Sequence, residues 1–505
     1  MKKITSALIS VYHKAGLDNI IKILTKSGIT IYSTGGTLDY IRKFCPDAIA
    51  VETLTGFPSL FGGRVKTLHP KVFGGILFQR DDEQDIKHAE DFNIPPIDIV
   101  IVDLYPFEKT LASRASKNEI IENIDIGGIS LIRAAAKNYK DVVVISSSEQ
   151  YSKLEQLLTE KNCHTELEDR KYFAAQAFHT SSHYDTVIFN YFNADKIIST
   201  FNQNHTNSIK LRYGENPHQQ GVFYGNISEV FEQLHGKEIS YNNLVDINAA
   251  INLLNDFQET TFAILKHTNA CGVSSRENLT DAWKKALAGD PASAFGGVLA
   301  TNRIIHAETA EEINKIFFEV LIAPDYHPQA LEILFQKKNR IILKLKNLSF
   351  PSKQYKSLLN GVIEQDKDDK VETTDDLKVV TNTSPLPHEL DDLLFANKIA
   401  KHTKSNTIVL AKNRQLLGNG TGQTSRVDAL RQAIIKAKEF DKDLQGAVMA
   451  SDAFFPFADC VEIAHKEGIR AVIQPGGSVR DSESIEYCNK NSISMVFTGI
   501  RHFKH

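Results

Sequence analysis

The sequence predicts an α/β protein whose N-terminal part is a doubly wound parallel sheet. Short apolar runs alternate with stretches of helical spacing through this part of the chain. Residues 97–104 are almost continuously apolar, which is typical of a strand buried on both faces. Residues 33–37 read Ser-Thr-Gly-Gly-Thr between a predicted strand and a predicted helix. Together these observations favour parallel strands joined by helical crossovers.

Length and composition indicate an ordinary globular enzyme-sized chain. Its 505 residues predict two or more domains. The 58 basic and 62 acidic residues give a net charge of −4, which argues against binding nucleic acid through a basic surface. The five cysteines are widely spaced and form no CxxC pair, so we expect a reducing compartment and neither a zinc nor a disulfide framework.

Nothing in the sequence predicts secretion or membrane insertion. The first residues lack the long apolar segment of a signal peptide. No apolar run approaches the roughly 20 residues that a membrane helix needs. We therefore expect a cytoplasmic protein without a membrane or nucleic-acid partner.

The N-terminal elements follow in order. Residues 6–11 predict a strand, and residues 14–28 predict a helix because Leu17, Ile20 and Leu24 fall on one face and Gly28 ends the pattern. Residues 29–33 predict the next strand. The later predicted elements are a helix over 38–44, strands over 97–104 and 142–146, a helix from 128 to about 137, and helical segments from 151 to about 192.

Two glycine-containing segments are candidate anion sites. Residues 33–37 lead from a strand into a helix, so their backbone N–H groups can approach a phosphate. Residues 60–70 combine Gly62 and Gly63 with the cations Arg64 and Lys66. A tight turn and a chance surface loop are the structural alternatives. The two segments together favour an anionic ligand.

Further candidates lie where later strands and helices begin or end. The strand over 97–104 carries Asp103 to its end, followed by Tyr105. Asp125 precedes Gly127 and Gly128 at a helix start, where it is either a structural N-cap or a residue with a chemical role.

The polar residues 195–209 predict a linker to a second α/β region. There, the apolar run 262–265 ends at Lys266 and His267, and we expect Asn269 and Gly272 to form the turn that follows. A histidine accepts a proton near neutral pH, and a lysine stabilises a developing oxyanion. The alternative is a solvated strand end beside a hydrogen-bonded loop.

The C-terminal part resumes the strand–helix pattern. Residues 364–381 predict a solvated excursion, and 407–411, 447–451 and 471–474 predict strands. Residues 418–426 form a glycine-rich loop that suits an anion. The aromatic segment 452–457 suits either a flat heterocycle or core packing.

The combination resembles the family of bifunctional purine biosynthesis enzymes that join AICAR (5-aminoimidazole-4-carboxamide ribonucleotide) formyltransferase to IMP cyclohydrolase. The matching stretches occur in family order across the chain. They are residues 33–37, 62–70, 105–107, 124–128 with Lys137, 212–219, 266–272, 290–297, 422–428, 451–457 and 498–502.

The resemblance implies a methylglyoxal-synthase-like cyclohydrolase domain over residues 1–198 and a formyltransferase domain over 199–505. The second domain would contain two cytidine-deaminase-like α/β subdomains, at about 210–365 and 382–505. The resemblance also implies a homodimer, 10-formyltetrahydrofolate as co-substrate and no catalytic metal. It leaves open a structural potassium ion near the C-terminus.

For formyl transfer, the resemblance implies that Lys266 stabilises the oxyanion, His267 accepts the proton and Asn406 orients the carboxamide. The implied folate contacts are Arg426, Asp459 and Ser478. The implied contacts to the AICAR nucleotide are Arg212, Tyr213, Gly296, Glu319, Phe454 and Arg501.

For ring closure of FAICAR (formyl-AICAR) to IMP, the resemblance implies that Lys66, Tyr105, Asp125 and Lys137 lie nearest the reaction. The other implied nucleotide contacts are Lys14, Thr34, Gly35, Gly36, Thr37, Arg64, Val65, Thr67, Asp103 and Ile126. Three residues depart from the family pattern. Tyr12 replaces a small hydroxyl residue, Asp103 replaces an asparagine, and Ala270 replaces a proline.

Two other functions remain alternatives at this point. One is a formyltransferase whose N-terminal domain only binds nucleotides or forms the dimer, which the departures at Tyr12 and Asp103 allow. The other is a regulatory purine-nucleotide binder without catalysis. The Lys266–His267 pair together with Asn406 speaks against that binder, because binding alone needs no general base.

Overall fold

A computed structural model describes residues 1–346 and 350–505. The chain forms two compact units, Met1–Thr206 (unit 1) and Asn207–His505 (unit 2). The division falls inside the polar segment 195–209. Within the described residues, no helix is both long and apolar enough to cross a membrane.

Unit 1 alternates strands and helices. Its strands are β1 (Lys2–Lys3), β2 (Ser6–Ser10), β3 (Thr30–Ser33), β4 (Ile49–Ala50), β5 (Ile99–Val102), β6 (Val143–Ile145) and β7 (His164–Thr165). Its α-helices are α1 (Leu17–Lys26), α2 (Gly35–Ile41), α3 (Val51–Thr55), α4 (Pro70–Leu77), α5 (Glu83–Asp91), α6 (Phe107–Ala112), α7 (Lys117–Glu122), α8 (Gly127–Lys137), α9 (Tyr151–Glu160) and α10 (Leu167–Phe192). Short 3-10 helices cover Phe61–Gly63 and Ser148–Gln150.

Five parallel strands form the sheet of unit 1 in the order β4-β3-β2-β5-β6. Ala7 and Ile9 of β2 pack in one core and Leu8 packs in another, so both faces of the sheet are covered. Burial on both faces explains the continuous apolar runs. The predicted doubly wound architecture of this part is confirmed.

Two helix starts differ from the prediction. Helix α1 begins at Leu17 rather than residue 14, because Gly16 has a left-handed backbone with φ +80°. Helix α2 begins at Gly35, before the predicted start at residue 38, so the glycine pair lies in its first turn.

Unit 2 contains the remaining elements. Its strands are β8 (Ser208–Lys210), β9 (Val222–Tyr224), β10 (Phe231–His235), β11 (Thr261–Lys266), β12 (Asn269–Ser275), β13 (Val298–Thr301), β14 (Val320–Ala323), β15 (Ile341–Leu345), β16 (Lys353–Leu358), β17 (Gly361–Asp366), β18 (Lys378–Val379), β19 (Ile408–Lys412), β20 (Gln415–Gly420), β21 (Val448–Ser451), β22 (Ala471–Gln474) and β23 (Ser494–Phe497). Its α-helices are α11 (Tyr241–Asn255), α12 (Leu279–Leu287), α13 (Pro291–Ala294), α14 (Ala307–Asn314), α15 (Pro328–Leu334), α16 (Pro387–Lys401), α17 (Arg426–Glu439), α18 (Asp459–Lys466) and α19 (Asp481–Lys490). Short 3-10 helices cover Ile227–Glu229 and Thr374–Asp376.

One twelve-stranded sheet runs through unit 2, in the order β10-β15-β14-β13-β11-β12-β20-β19-β21-β22-β23-β18. The strand order β12-β11-β13-β14-β15 is repeated as β20-β19-β21-β22-β23. In each half an antiparallel hairpin is followed by an antiparallel neighbour and then by two parallel strands. The halves meet where Ser274 of β12 pairs with Gln415 of β20.

Two glycine predictions in unit 2 were wrong. Gly272 lies inside β12 rather than in a turn, and a β-carbon there would lie 2.1 Å from the carbonyl oxygen of Ala286 on α12. Gly420 lies inside β20 rather than in an anion loop, and its β-carbon would lie 1.8 Å from the carbonyl oxygen of Ala429 on α17. These glycines therefore permit close packing of a helix on a strand.

The predicted solvated excursion over 364–381 is only partly solvated. Glu372 is buried, and β18 pairs with β23 at the edge of the large sheet. Its polar composition misled the prediction because the carboxylates of Asp368 and Glu372 have a buried histidine as their partner, His502.

Candidate active sites

The first candidate site in unit 2 is the turn between β11 and β12. Lys266 ends one strand and Asn269 begins the next, so His267 and Thr268 alone form the turn. Their φ angles are +50° and +66°, as the central residues of a type I′ hairpin require. This turn leaves the His267 side chain exposed at the end of the hairpin.

Asp246 on α11 holds this turn, and the sequence analysis missed it. One carboxylate oxygen accepts a hydrogen bond from the Thr268 N–H at 2.6 Å, and the His267 backbone also contacts the carboxylate. Burial raises the pKa of Asp246, whereas these backbone hydrogen bonds and the nearby imidazole oppose the rise. Its position on the helix could have identified it, because Asp392 holds the β19–β20 hairpin in the same way.

Lys266 has a neutral partner. Its Nζ donates to the carbonyl oxygen of Phe295 at 2.9 Å. Within the described part of the chain, no carboxylate lies within ion-pair distance of this ammonium group. The next residues place Gly296 and Glu319 nearby, since the Glu319 N–H donates to the Gly297 carbonyl at 3.0 Å. The Glu319 carboxylate pairs with Lys237 at 2.5 Å.

Asn406 lies in a second polar cluster just before β19. Its Oδ1 accepts a hydrogen bond from Arg426 at 2.8 Å, and its Nδ2 donates to the Gln423 carbonyl at 3.0 Å. Arg426 is buried and also contacts Ser451 at 3.0 Å and Asp452 at 3.1 Å. These contacts fix the amide orientation of Asn406. Asp452 is a further residue that the sequence analysis did not assign.

The other predicted residues of unit 2 are spread over several loops. Arg212 donates to the Tyr213 hydroxyl at 2.9 Å, and Arg501 lies over the ring of Phe503. Phe454 is exposed, whereas Phe455 of the same aromatic segment is in the core, so that segment serves packing in part. Asp459 begins α18, and Ser478 accepts from the Arg480 N–H.

The predicted nucleotide site of unit 1 lies at the carboxyl ends of the parallel strands. The strand order reverses between β2 and β5, and ligands of doubly wound sheets bind at such a switch point. Asp103 follows β5 there, and it accepts from the backbone N–H groups of Tyr12 and His13 and from the His13 ring. The Asp103 carboxylate thus accepts hydrogen bonds from the loop that follows β2.

Lys66 and the glycine pair lie together in unit 1. A β-carbon built on Gly35 would lie 3.7 Å from Lys66 Nζ, and one built on Gly36 would meet open space. Thr37 fixes this loop through hydrogen bonds with both backbone groups of Val11, at 3.1 and 2.9 Å. The neighbouring Thr34 hydroxyl donates to Glu52 at 3.1 Å. A cation therefore lies beside open space at the start of α2.

Asp125 belongs to a second group of predicted site residues in unit 1. It is buried before α8 and accepts from the Gly128 N–H at 2.6 Å, while its own N–H donates to the Tyr184 hydroxyl at 2.8 Å. Burial raises the pKa of Asp125. Burial and then the Asp125 charge raise the pKa of Tyr105. The ring of Tyr12 packs edge-on against Tyr105, with 5.7 Å between centroids.

The remaining predicted residues of unit 1 fall into two groups. Thr67 is buried against Gly127 at the start of α8, where Ile126 is exposed. Val65 is exposed, Arg64 pairs with Glu122, and Lys14 donates to the Tyr12 carbonyl at 2.9 Å. Lys137 is exposed at the opposite end of α8, about 15 Å along the helix. A single chain does not bring Lys137 to Asp125.

Two family models match different parts of the chain. The family described as "AICARFT/IMPCHase bienzyme" matches residues 135–436, and the "MGS-like domain" family matches residues 16–130.

Three relatives are similar to the chain over essentially its whole length. "Bifunctional purine biosynthesis protein PurH" of Bacteroides thetaiotaomicron is 62% identical, covering 100% of this chain and 99% of that protein. The proteins of the same name from Acetivibrio thermocellus and Aquifex aeolicus are 48% and 47% identical, each covering 99% of this chain and 100% of the relative. The chain therefore belongs to the family of bifunctional AICAR formyltransferase/IMP cyclohydrolase enzymes of purine biosynthesis.

Proposed function

We propose that the two reactions of this bifunctional enzyme occur in different units, with formyl transfer at the β11–β12 hairpin of unit 2 and ring closure at the strand ends of unit 1. The observation that carries this proposal is that His267 directly follows Lys266, whose ammonium group contacts a neutral carbonyl. A charge that is not already paired remains available to a developing oxyanion.

In formyl transfer, the aromatic amine of AICAR attacks the formyl carbon of 10-formyltetrahydrofolate. The lone pair of this amine is delocalised, so removal of its proton by His267 assists the attack, typically by about 100- to 10,000-fold. Lys266 stabilises the tetrahedral oxyanion. The bond between the formyl carbon and the folate nitrogen then breaks, and that nitrogen takes up a proton to give tetrahydrofolate and FAICAR.

Asn406 orients the carboxamide that lies beside the reacting amine. The hydrogen bonds from its side chain to Arg426 and Gln423 support this role, because they fix which way the amide points. We assign Arg426, Asp459 and Ser478 to the folate side. Arg212, Tyr213, Gly296, Glu319, Phe454 and Arg501 form the nucleotide side.

In ring closure, the carboxamide nitrogen of FAICAR attacks the formyl carbon and water leaves. Lys66 polarises the formyl carbonyl beside the Gly35–Gly36 turn, and Asp125 and Tyr105 move protons. The raised pKa of Asp125 suits proton transfer near neutral pH better than its ordinary value would, whereas the raised pKa of Tyr105 keeps its hydroxyl protonated as a hydrogen-bond donor. Holding the two reacting groups together supplies much of the acceleration.

Lys137 lies too far along α8 to serve the same chain's Asp125. We propose that it acts in a homodimer, where the exposed end of α8 is free to approach the site of a second copy. We also propose a cytoplasmic location, for which the dispersed, free cysteines are the support. The functional domains are assigned to residues 1–198 and 199–505.

We propose that a potassium ion near the C-terminus would not use the carbonyl oxygen of His402. The carbonyl oxygen of His402 already accepts from Lys504 Nζ at 3.0 Å. Burial and the Lys404 charge lower the pKa of Lys504. The chain thus supplies a cationic donor of its own at this carbonyl.

The proposal is tested by separating the two reactions. We expect His267→Ala to lower formylation of AICAR at least about 100-fold while FAICAR is still converted to IMP at the wild-type rate. We expect Asp125→Asn to do the reverse. Each reaction is followed by its ultraviolet absorbance change in the purified full-length enzyme. Normal formyl transfer by His267→Ala would disprove the assignment of unit 2, and loss of both reactions in either variant would disprove the separation.

A further inference from the structure

The C-terminal tail, residues 498–505, lies next to Asn406. The Ser405 N–H donates to the Lys504 carbonyl at 2.9 Å, and the Lys504 N–H donates to the Ser405 hydroxyl at 3.0 Å. The His502 N–H donates to the Asp452 carbonyl at 3.0 Å. The tail therefore contacts the residue before Asn406 and also the aspartate that pairs with Arg426.

The charged ring of His502 holds this tail in place. Its ring is buried, with Nδ1 2.6 Å from Asp368 and Nε2 2.8 Å from Glu372. Carboxylates accept hydrogen bonds, so both ring nitrogens donate, and only the imidazolium form has two N–H groups. Glu372 is itself fixed by Asn397 of α16 at 2.9 Å.

A chain of hydrogen bonds leads from His502 to Asn406. Asp452, held at its backbone by His502, accepts from the Ser405 hydroxyl through one carboxylate oxygen and from Arg426 through the other. Arg426 then holds the Asn406 amide. In addition, His502 directly follows Arg501, which we assign to the nucleotide.

We propose that His502, held between Asp368 and Glu372, is a positioning residue for formyl transfer that orients Asn406 and Arg501 without touching the substrates. This inference rests on the proposed role of Asn406. It adds a dependence on the charge of one buried histidine far along the chain from the β11–β12 hairpin.

The direction of the pH dependence follows from the surroundings. Burial alone would lower the pKa of His502, but the hydrogen bonds to Asp368 and Glu372 outweigh it and raise the pKa from 6.5 to about 9. The charged groups facing this ring and its neighbours are Asp368 and Glu372, Lys401 near Asp368, and the Asp452–Arg426 pair. The stabilisation that the His502 charge gives to the folded tail is complete below about pH 6.5, and it is lost as the pH rises through about 9.

The test compares His502→Gln and Glu372→Gln with the control His465→Gln. His465 is a half-buried histidine of unit 2 whose ring contacts Tyr487 and none of the residues in the series of hydrogen bonds from His502 to Asn406. The readouts are kcat and KM for formyl transfer as a function of pH, with FAICAR cyclisation as a second activity. Fluorescence of the single, buried Trp283 reports whether unit 2 is folded.

We expect His502→Gln to lower kcat for formyl transfer roughly 10- to 100-fold, since small misplacements of reacting groups have effects of this size. We expect Glu372→Gln to move the alkaline fall in kcat to lower pH, because one of the two carboxylates that raise the pKa is removed. Cyclisation and the control variant should match the wild type.

The inference is overturned if Glu372→Gln keeps the alkaline limb of the wild type, whether or not His502→Gln folds. It is also overturned if folded His502→Gln keeps the wild-type kcat. Normal formyl transfer by Asn406→Ala would instead refute the proposed function. A deficient Asn406→Ala beside a fully active His502→Gln would refute only the positioning role.

Discussion

Unit 2 contains the same hairpin twice, and only one copy contains the residues that we propose for catalysis. The β11–β12 and β19–β20 hairpins both turn through two residues with positive φ, His267–Thr268 and Asn413–Arg414. An aspartate at the sixth position of the preceding helix, Asp246 or Asp392, accepts from the backbone N–H groups of each turn. A lysine ends the first strand of both hairpins.

The two lysines differ in what they contact. Lys412 pairs with Asp443 at 2.9 Å and donates to the Gln445 carbonyl at 2.6 Å, so its charge is compensated. Lys266 contacts only the Phe295 carbonyl among its described hydrogen-bond partners. The second turn also has no histidine. The fold therefore supplies the geometry of both turns, and among the described residues only the first turn combines a histidine with a lysine that has no carboxylate partner.

The largest expected effect comes from exchanging each lysine for methionine. Lys266→Met should lower kcat for formyl transfer by about 100- to 1,000-fold, the usual cost of removing one oxyanion donor. Lys412→Met, the matched control, should remain within about twofold of the wild type, because its charge is already paired. Steady-state formylation of AICAR measures both. An equal loss in the two variants would mean that the lysines act by stiffening the hairpins.

A smaller effect is expected at the aspartates that hold the turns. An asparagine keeps one acceptor oxygen but loses the second, so Asp246→Asn and Asp392→Asn should each lower the free energy of unfolding of unit 2 by about 1–3 kcal/mol. Only Asp246→Asn should also lower kcat for formyl transfer, by about tenfold, because it holds His267. Urea unfolding followed by Trp283 fluorescence and activity below the transition separate the two effects.

If Asp392→Asn lost as much activity as Asp246→Asn, the proposal that only the β11–β12 hairpin serves formyl transfer would be contradicted. Equal losses of activity would show that both hairpins contribute to the same site. Unequal losses of stability alone would leave the assignment of the active hairpin intact.

The repeated hairpin also shows what the sequence could predict. Asp246, Lys266 and Gly272 have the same spacing along the chain as Asp392, Lys412 and Gly418. That internal repeat could have placed Gly272 and Gly418 within strands and identified Asp246. It was missed because turn formers such as glycine are read locally, whereas these glycines are required by helices packed on the strands.

In unit 1 the sequence predicted more, because parallel strands buried on both faces leave continuous apolar runs. The positions of Asp103 and Asp125 followed from the ends of those elements. The interaction of Asp103 with Tyr12 and His13 did not, since it joins residues that are far apart in sequence and depends on the strand order. The His502 contacts escaped prediction for the same reason.

The smallest expected effect separates the two turns by backbone freedom alone. A residue other than glycine in the left-handed region costs about 1–2 kcal/mol, and glycine in the folded state costs about 0.5–1 kcal/mol of entropy. Arg414→Gly should therefore raise the free energy of unfolding of unit 2 by about 0.5 kcal/mol and leave formyl transfer unchanged.

Thr268→Gly should raise the free energy of unfolding less, because the Thr268 hydroxyl donates to the His267 carbonyl at 2.6 Å. It should also lower kcat about two- to fivefold by loosening the backbone that carries the base. Urea unfolding and formylation assays measure both variants, and an unchanged kcat in Thr268→Gly would show that Asp246 alone holds His267.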